Sequence, residues 1–138
     1  MTPPAARTQD CNRAQATVRL GQARAFLDVA ELVGAESDEL ANPNVSAALA
    51  VLAGIVAADA ACCAALGQRS RGQDHRQAIQ LITEAGDDGR TLARALGRLL
   101  DVKDGAHYGM VFVSSQQAKA AIRHAGTLVD GAARALDR

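Results

Sequence analysis

Alanine supplies much of the apolar content of this chain, and this feature limits the folds open to it. Of the 138 residues 31 are alanine, whereas two are Phe, one is Tyr and none is Trp. Alanine has the highest helix propensity, and β-sheets are built mainly from the branched and aromatic side chains that are scarce here. We therefore predict an all-α protein, an up-down bundle of four core helices plus a short additional helix. Its single domain should cover residues 10–138, with residues 1–9 disordered or loosely ordered.

Caps, glycines and apolar periodicity divide the domain into five predicted helices. The first covers residues 10–33, with a core stripe expected on one face. The second starts at the Asn42-Pro43 cap, the third at Asp74, and the fifth at the Ser114 capping box. The fourth should end near Gly105, and residues 105–113 should form a packed loop. The stripe predicted for the first helix consists of Val18, Ala25, Phe26, Val29, Leu32 and Val33.

From Ser46 to Leu66 the chain is apolar after the serine itself, apart from Gly54 and Asp59, and the run is long enough to span a bilayer. Ten of residues 47–66 are alanine, which favours insertion little, and Asp59 opposes it by about 2.5–3.5 kcal/mol. A helix that is apolar all round is also what the centre of a bundle requires. The composition therefore favours a buried central helix and no membrane association.

Charge and cysteine content restrict the classes of function. The net charge is zero, which argues against a dedicated nucleic-acid-binding protein. However, residues 67–138 carry eleven basic and eight acidic side chains, which weakly favours an anion-facing C-terminal half. The three cysteines, Cys11, Cys62 and Cys63, show no CxxC spacing, so we expect neither a disulfide framework nor a zinc site. No signal peptide is evident in the first residues, and a reduced cytoplasm fits best.

Polar side chains in three places are candidates for a functional role. Asp59 interrupts the apolar helix, and its structural interpretation is an ion pair with His75 or an arginine. His75 lies in the first turn of the third helix, where a structural hydrogen bond is the default. If the fourth helix continues, Lys103 and His107 share a face. Lys103 could then hold an anion beside His107, which could transfer a proton near neutral pH. Arg94 and Arg98, one turn apart, are candidate binding residues, as are His75 and Asp59, which could line a dimer or ligand cleft.

Four segments in order resemble the HEPN domains, small α-helical bundles found beside toxin–antitoxin and defence genes. The segments are Ala57-Ala-Asp-Ala-Ala-Cys-Cys-Ala-Ala-Leu-Gly, Gly72-Gln-Asp-His-Arg-Gln-Ala, Leu99-Leu-Asp-Val-Lys-Asp-Gly-Ala-His-Tyr-Gly and Val113-Ser-Ser. The similarity spans about residues 14–136. It implies a four-helix core with an extra short helix, and a homodimer that brings the last-third loops of two protomers together.

The resemblance also implies roles for individual residues. Active members of the family are metal-independent ribonucleases with an Arg and a His at the end of the third core helix. His107 matches that histidine and Tyr108 resembles a nearby tyrosine, which in some relatives is modified by a partner nucleotidyltransferase. Lys103 stands at the place of the arginine; lysine retains the charge but lacks the planar fork that binds phosphate through two hydrogen bonds. This departure predicts the loss of strong nuclease activity.

Three functional hypotheses follow. The first is a HEPN-like homodimer that binds RNA, a nucleotide or a protein partner such as an antitoxin or a nucleotidyltransferase, without strong nuclease activity, metal or cofactor. The second is a metal-independent endoribonuclease with Lys103, His107 and Tyr108 in a dimeric active site. The third is a non-catalytic interaction module whose last helix packs on a partner, so that charges at Ile122 or Val129 would disrupt the assembly.

Overall fold

The computed structural model describes residues 7–36, 42–71, 75–108 and 112–138, and of residues 104–108 only the backbone. In these ranges the chain forms five helices and one small two-stranded sheet. Four helices are long and one is short, which confirms the predicted all-α bundle. The elements in chain order are β1 (Thr8–Asp10), α1 (Arg13–Ala35), α2 (Pro43–Leu66), β2 (Gln68–Ser70), α3 (His75–Thr83), α4 (Gly89–Tyr108) and α5 (Ser115–Asp137).

Side-chain caps determine where three of the long helices begin. The Asn42 side chain accepts a hydrogen bond from the backbone N–H of Asn44 at 2.9 Å, with Pro43 at the first helical position. Ser114 and Gln117 form a reciprocal capping box at the start of α5. Both starts agree with the sequence prediction. A further capping box joins Asn12 and Gln15 ahead of α1, so this helix begins at Arg13 rather than at residue 10. The predicted cap Asp74 lies outside the described residues.

The centre of the bundle is α2, which packs on α1, α4 and α5. Among the described residues, α2 is the one helix that is long and apolar enough to cross a membrane. Most of its apolar stretch is buried inside the protein. Close approach of the helices depends on small residues. A Cβ added at Gly54 would collide with Leu99 of α4, so a larger residue would force this buried side chain to shift where the helices cross. The buried position of α2 is the one expected from the sequence.

The exposed apolar stripe of α1 contradicts the sequence prediction. Val18 is 60% exposed, Val29 46% and Leu32 65%, although all three were expected in the core. Ala25 is also exposed, and Phe26 and Val33 are half-buried at the edges. The face that packs on the bundle carries instead Ala16, Leu20, Ala23, Leu27 and Ala30. Alanine-rich apolar positions occur on both faces of this helix, so periodicity alone could not select the buried one.

The small sheet joins the N-terminal segment to the region after α2. β1 pairs antiparallel with β2, with Gln9 opposite Arg69. Residues 8 and 9, expected to be disordered or loosely ordered, are therefore paired with residues 70 and 69 of a strand. Gly67 ends α2 in the left-handed conformation (φ 70°), which glycine adopts without strain and which turns the chain into β2.

A disulfide bond between Cys11 and Cys63 strengthens the same junction. This bond contradicts the sequence prediction, because three cysteines without a CxxC spacing indicated no disulfide framework. The pairing of β1 with β2 brings Cys11 to the end of α2, where the backbone N–H of Cys11 donates to the Gly67 carbonyl at 2.9 Å. Cys62 remains a buried thiol, and burial raises its pKa to about 12, with a smaller contribution from Asp59.

The apolar stripe of α5 serves the core of its own chain. Val129 is only 6% exposed, and Ile122 packs against the same buried cluster. A charge at either position would therefore disturb folding rather than test a partner interface, and the third hypothesis needs another surface.

Candidate functional site

Lys103 and His75, predicted separately as candidate site residues, are in contact. The Lys103 Nζ lies 2.7 Å from the His75 Nε2. An ammonium group has only donors, so the imidazole Nε2 accepts this bond. Both side chains are half-buried, and their contact joins the last part of α4 to the first turn of α3. The sequence interpretation of His75 as a hydrogen-bonding histidine is confirmed, with Lys103 as a partner.

The backbone of α4 continues to Tyr108, so residues 105–108 are helical rather than part of the predicted loop. His107 therefore stands one helical turn beyond Lys103, which is the condition under which the two positions share a helix face. The side chains of His107 and Tyr108 are outside the described part of the chain. Their convergence with Lys103 stays a prediction.

A groove between α4 and α5 carries several basic side chains. We call it the basic groove. Its wider part encloses about 300 Å³ and its continuation about 200 Å³, and Arg98 and His124 line both. The wider part is lined by Thr91, Arg94, Ala95, Arg98, His124 and Thr127. Two predicted binding residues, Arg94 and Arg98, are thus brought together in one concave surface with donors from both helices.

His124 lines the basic groove although the sequence did not single it out as a site residue. Burial lowers its pKa below the ordinary value of 6.5, and the nearby charges of Arg123 and Arg98 lower it further. The imidazole is therefore mainly neutral at neutral pH. An anion bound beside it would offset the two arginine charges and raise the pKa. Sequence offered only a weak signal, since the spacing of His124 and Thr127 puts them on one face of α5 without showing that this face meets α4.

Asp59 lies in a different place, where α2 faces α1 and β2. Its carboxylate accepts a hydrogen bond from Arg19 at 2.9 Å and lies 3.8 Å from Arg69. Burial raises the pKa of Asp59, and the two arginines oppose that rise. The predicted ion pair with an arginine is confirmed. Within the described residues the carboxylate does not pair with His75, which contacts Lys103 instead.

The Asp59 cluster adjoins a cleft of about 400 Å³ that Arg19, Arg69 and the bonded Cys11 and Cys63 help to line. Both arginines are committed to Asp59, and Arg69 also donates to the Gln9 side chain at 2.7 Å. These contacts tie β1, β2, α1 and α2 together. The cluster therefore has a structural explanation without a ligand.

Comparison with known proteins adds no family assignment. The chain matches no protein-family model and shows no significant similarity to a curated protein. In the described residues no group of three or more His, Cys, Asp or Glu side chains is placed to hold a metal ion. The geometry of the basic groove and of the Lys103–His75 contact is thus the basis for assigning a function.

Proposed function

We propose that the protein is a HEPN-like, homodimeric helical protein that binds RNA or a nucleotide through phosphate in the basic groove. It would be a toxin–antitoxin or stress-related component without strong nuclease activity. The all-α bundle and the order of the HEPN-like segments support this class. The observation that carries the binding proposal is the joint placement of Arg94, Arg98 and His124 in one cleft between α4 and α5.

The groove has the chemistry of a phosphate site. Each arginine presents a planar guanidinium that can donate two parallel hydrogen bonds to phosphate oxygens. Thr91 adds a hydroxyl group on the α4 side, whereas the Thr127 hydroxyl on α5 donates to the Arg123 carbonyl at 3.2 Å. The neutral His124 can accept a hydrogen bond from a sugar or base, and it can also take up a proton once an anion is present. This set of groups is suited to a nucleotide or to one or two linked nucleotides of RNA.

Binding can be measured with a short fluorescent RNA and with a nucleoside 5′-monophosphate. Arg98→Gln removes a groove charge, whereas the matched control Arg71→Gln removes the same charge from an exposed position beyond β2. We expect Arg98→Gln to weaken binding about tenfold or more and Arg71→Gln to change it less than about threefold. Equal effects of the two variants, or no binding by the wild type, would refute the proposed site.

The same proposal includes the absence of strong nuclease activity. Lys103 occupies the arginine position of the HEPN motif, and its ammonium group donates to His75. A lysine without a planar fork stabilises a developing phosphorane poorly. Purified protein should therefore leave RNA uncleaved over hours. Metal-independent turnover that His107→Ala abolishes would contradict this part.

One observation favours the second hypothesis, a metal-independent endoribonuclease. α4 is helical through Tyr108, and this places the His107 position one turn from Lys103. In such an enzyme Lys103 would hold the phosphate, His107 would transfer the proton and Tyr108 would position the strand, with two copies meeting across a two-fold axis. Cleavage lost in both Lys103→Met and His107→Ala would establish this alternative over simple binding.

An antitoxin or nucleotidyltransferase partner and a cytoplasmic location complete the proposal. The location can be tested through the Cys11–Cys63 disulfide, because cytosolic thiols are kept reduced. Protein trapped in cells with an alkylating agent should then carry alkylated Cys11 and Cys63, whereas protein extracted without the agent should form the bond on oxidation by air. A bond already complete in trapped cells would place the protein in an oxidising compartment instead.

A further inference from the structure

The outer face of α1 bears a continuous stripe of apolar and small residues with no partner in the described chain. We call it the α1 stripe: Val18, Gly21, Ala25, Val29 and Leu32. At about 100° per residue these positions fall within about 80° of arc, directly opposite the residues that face the core. All five are exposed, and the space where Gly21 would carry a Cβ is open for 4 Å around.

The charges of α1 are completely segregated along the helix. Residues 13–24 contain Arg13, Arg19 and Arg24 and no acid, whereas residues 25–36 contain Asp28, Glu31 and Glu36 and no base. A helix dipole favours acidic side chains near the N-terminus and basic ones near the C-terminus, so this order is unfavourable within one chain. An antiparallel copy of the same helix would bring each half against charges of opposite sign.

We propose that the α1 stripe packs antiparallel on the α1 stripe of a second copy of this chain. A two-fold axis through Ala25 pairs Ala25 with itself, Gly21 with Val29 of the partner subunit, and Val18 with Leu32 of the partner subunit. Each larger side chain then meets a smaller one or an apolar neighbour, and the glycine and alanines let the helices approach closely. The interface uses one patch on both subunits, as two-fold symmetry requires.

Arg24 and Asp28 specify the orientation. Both are exposed, lie on the same edge of the α1 stripe and form no ion pair within the described residues. In the antiparallel arrangement Arg24 comes within about 3 Å, along the helix axis, of Asp28 of the partner subunit, and this pair occurs twice. A parallel arrangement would instead set the two basic halves side by side and the two acidic halves side by side, and would place the Arg24 and Asp28 edges on opposite sides of the contact.

The α1 interface is distinct from the surface used in the proposed function. None of the stripe residues lines the basic groove. α1 packs on α2 and α5, whereas α4 packs on α2, α3 and α5 and leads into the last-third loop, which the HEPN resemblance would bring beside its copy in a second protomer. RNA binding and α1 self-association can therefore fail independently.

Charge reversal tests the interface by sedimentation equilibrium of the full chain. The wild type should self-associate through the α1 stripe, as single chains or as HEPN-like dimers. Arg24→Glu or Asp28→Arg alone should raise the Kd of this step about tenfold, because each reversal creates two like-charge contacts. The double variant with Arg24→Glu and Asp28→Arg should return to within about threefold of the wild type. A wild type that stays monomeric to about 200 µM, a concentration at which even weak complexes form, would overturn the proposal. Self-association that none of these variants weakens would overturn it as well.

Disulfide cross-linking tests the antiparallel orientation. Ala25→Cys places a thiol at the two-fold axis and should form covalent dimers on oxidation. Val18→Cys is the matched control, since an antiparallel pair separates its two copies by about 21 Å along the axis, beyond the 7 Å Cα limit for a disulfide. Cross-linking of both variants, or of neither, would refute the antiparallel interface. RNA binding by the charge-reversed variants would show separately that the basic groove is intact.

Discussion

The Lys103 Nζ lies 2.7 Å from the His75 Nε2, and this contact fastens α3 to the end of α4. α3 has nine residues, of which only Ile82 is fully buried, while Ala78, Ile79 and Leu81 pack half-buried against the core. The same contact engages Lys103, the residue that the HEPN resemblance would assign to phosphate binding. A candidate catalytic residue thus has a structural role in the same position.

Removal of Lys103 should loosen α3. We expect Lys103→Met to lower the free energy of unfolding by about 0.5–1.5 kcal/mol, because the imidazole loses its donor in a half-buried place. Amide hydrogen exchange in residues 75–83 should become faster than in α2. The matched control is Lys119→Met, at the other lysine of the chain, which is exposed on α5. Equal exchange in the two variants would mean that the contact does not hold α3.

Removal of Arg19 should destabilise the protein at neutral pH and much less at pH 3. Burial raises the pKa of Asp59 above its ordinary value of 3.8, and the hydrogen bond from Arg19 is the largest opposing effect. Arg19→Met therefore raises this pKa further. The cost falls on the ionised carboxylate, so stability is retained below pH 3.8 and lost as pH rises through the folded-state pKa.

A thermal denaturation series between pH 3 and pH 8 measures this effect. At pH 7 we expect a loss of about 1–3 kcal/mol for Arg19→Met. In an Asp59→Asn background the same substitution should cost much less, since no buried charge is left without a partner. A loss that is equal at both ends of the pH range would show that Arg19 acts through packing alone.

The disulfide should contribute substantially to stability. The bond closes a segment with a sequence separation of 52, and a loop of this size is worth about 2–4 kcal/mol. We expect Cys11→Ser to lose about that amount and to release β1 from β2, whereas Cys62→Ala leaves the bond intact. Non-reducing peptide mapping should recover Cys11 joined to Cys63. Recovery of a bond to Cys62, or no effect of reduction on stability, would contradict the assignment.

The pKa of His124 should report the charges of the basic groove. Burial is the main cause of its low pKa, and the arginines add to it. Arg98→Gln should therefore raise the pKa partway toward 6.5, as measured by NMR titration of the imidazole, with Arg71→Gln as the control. Because the folded-state pKa lies below the unfolded value, stability attributable to His124 is present above pH 6.5 and falls as pH falls. Arg98→Gln should reduce that acid-dependent loss, and an unchanged pKa would exclude electrostatic coupling in the groove.

Much of the candidate site followed from residue types and local spacing. Arg94 and Arg98 were recognisable as a basic pair one turn apart, and the buried Asp59 was expected to find an arginine. Their partners were not recognisable, because Arg19 is 40 residues from Asp59 and His124 lies on another helix. The contact of Lys103 with His75 likewise joins residues 28 apart. Such pairs depend on helix packing, which short-range patterns do not encode.

What the sequence by itself determined was the class of fold and the ends of several helices. Helix propensity and caps act within a few residues, so the alanine content, Asn42-Pro43 and the Ser114 capping box were sufficient for those conclusions. Only the tertiary structure decided which face of α1 is buried, where Cys11 is bonded and which charges share the basic groove. The reason is physical: alanine buries similar small areas on any face of a helix, so the choice depends on how all the helices fit together.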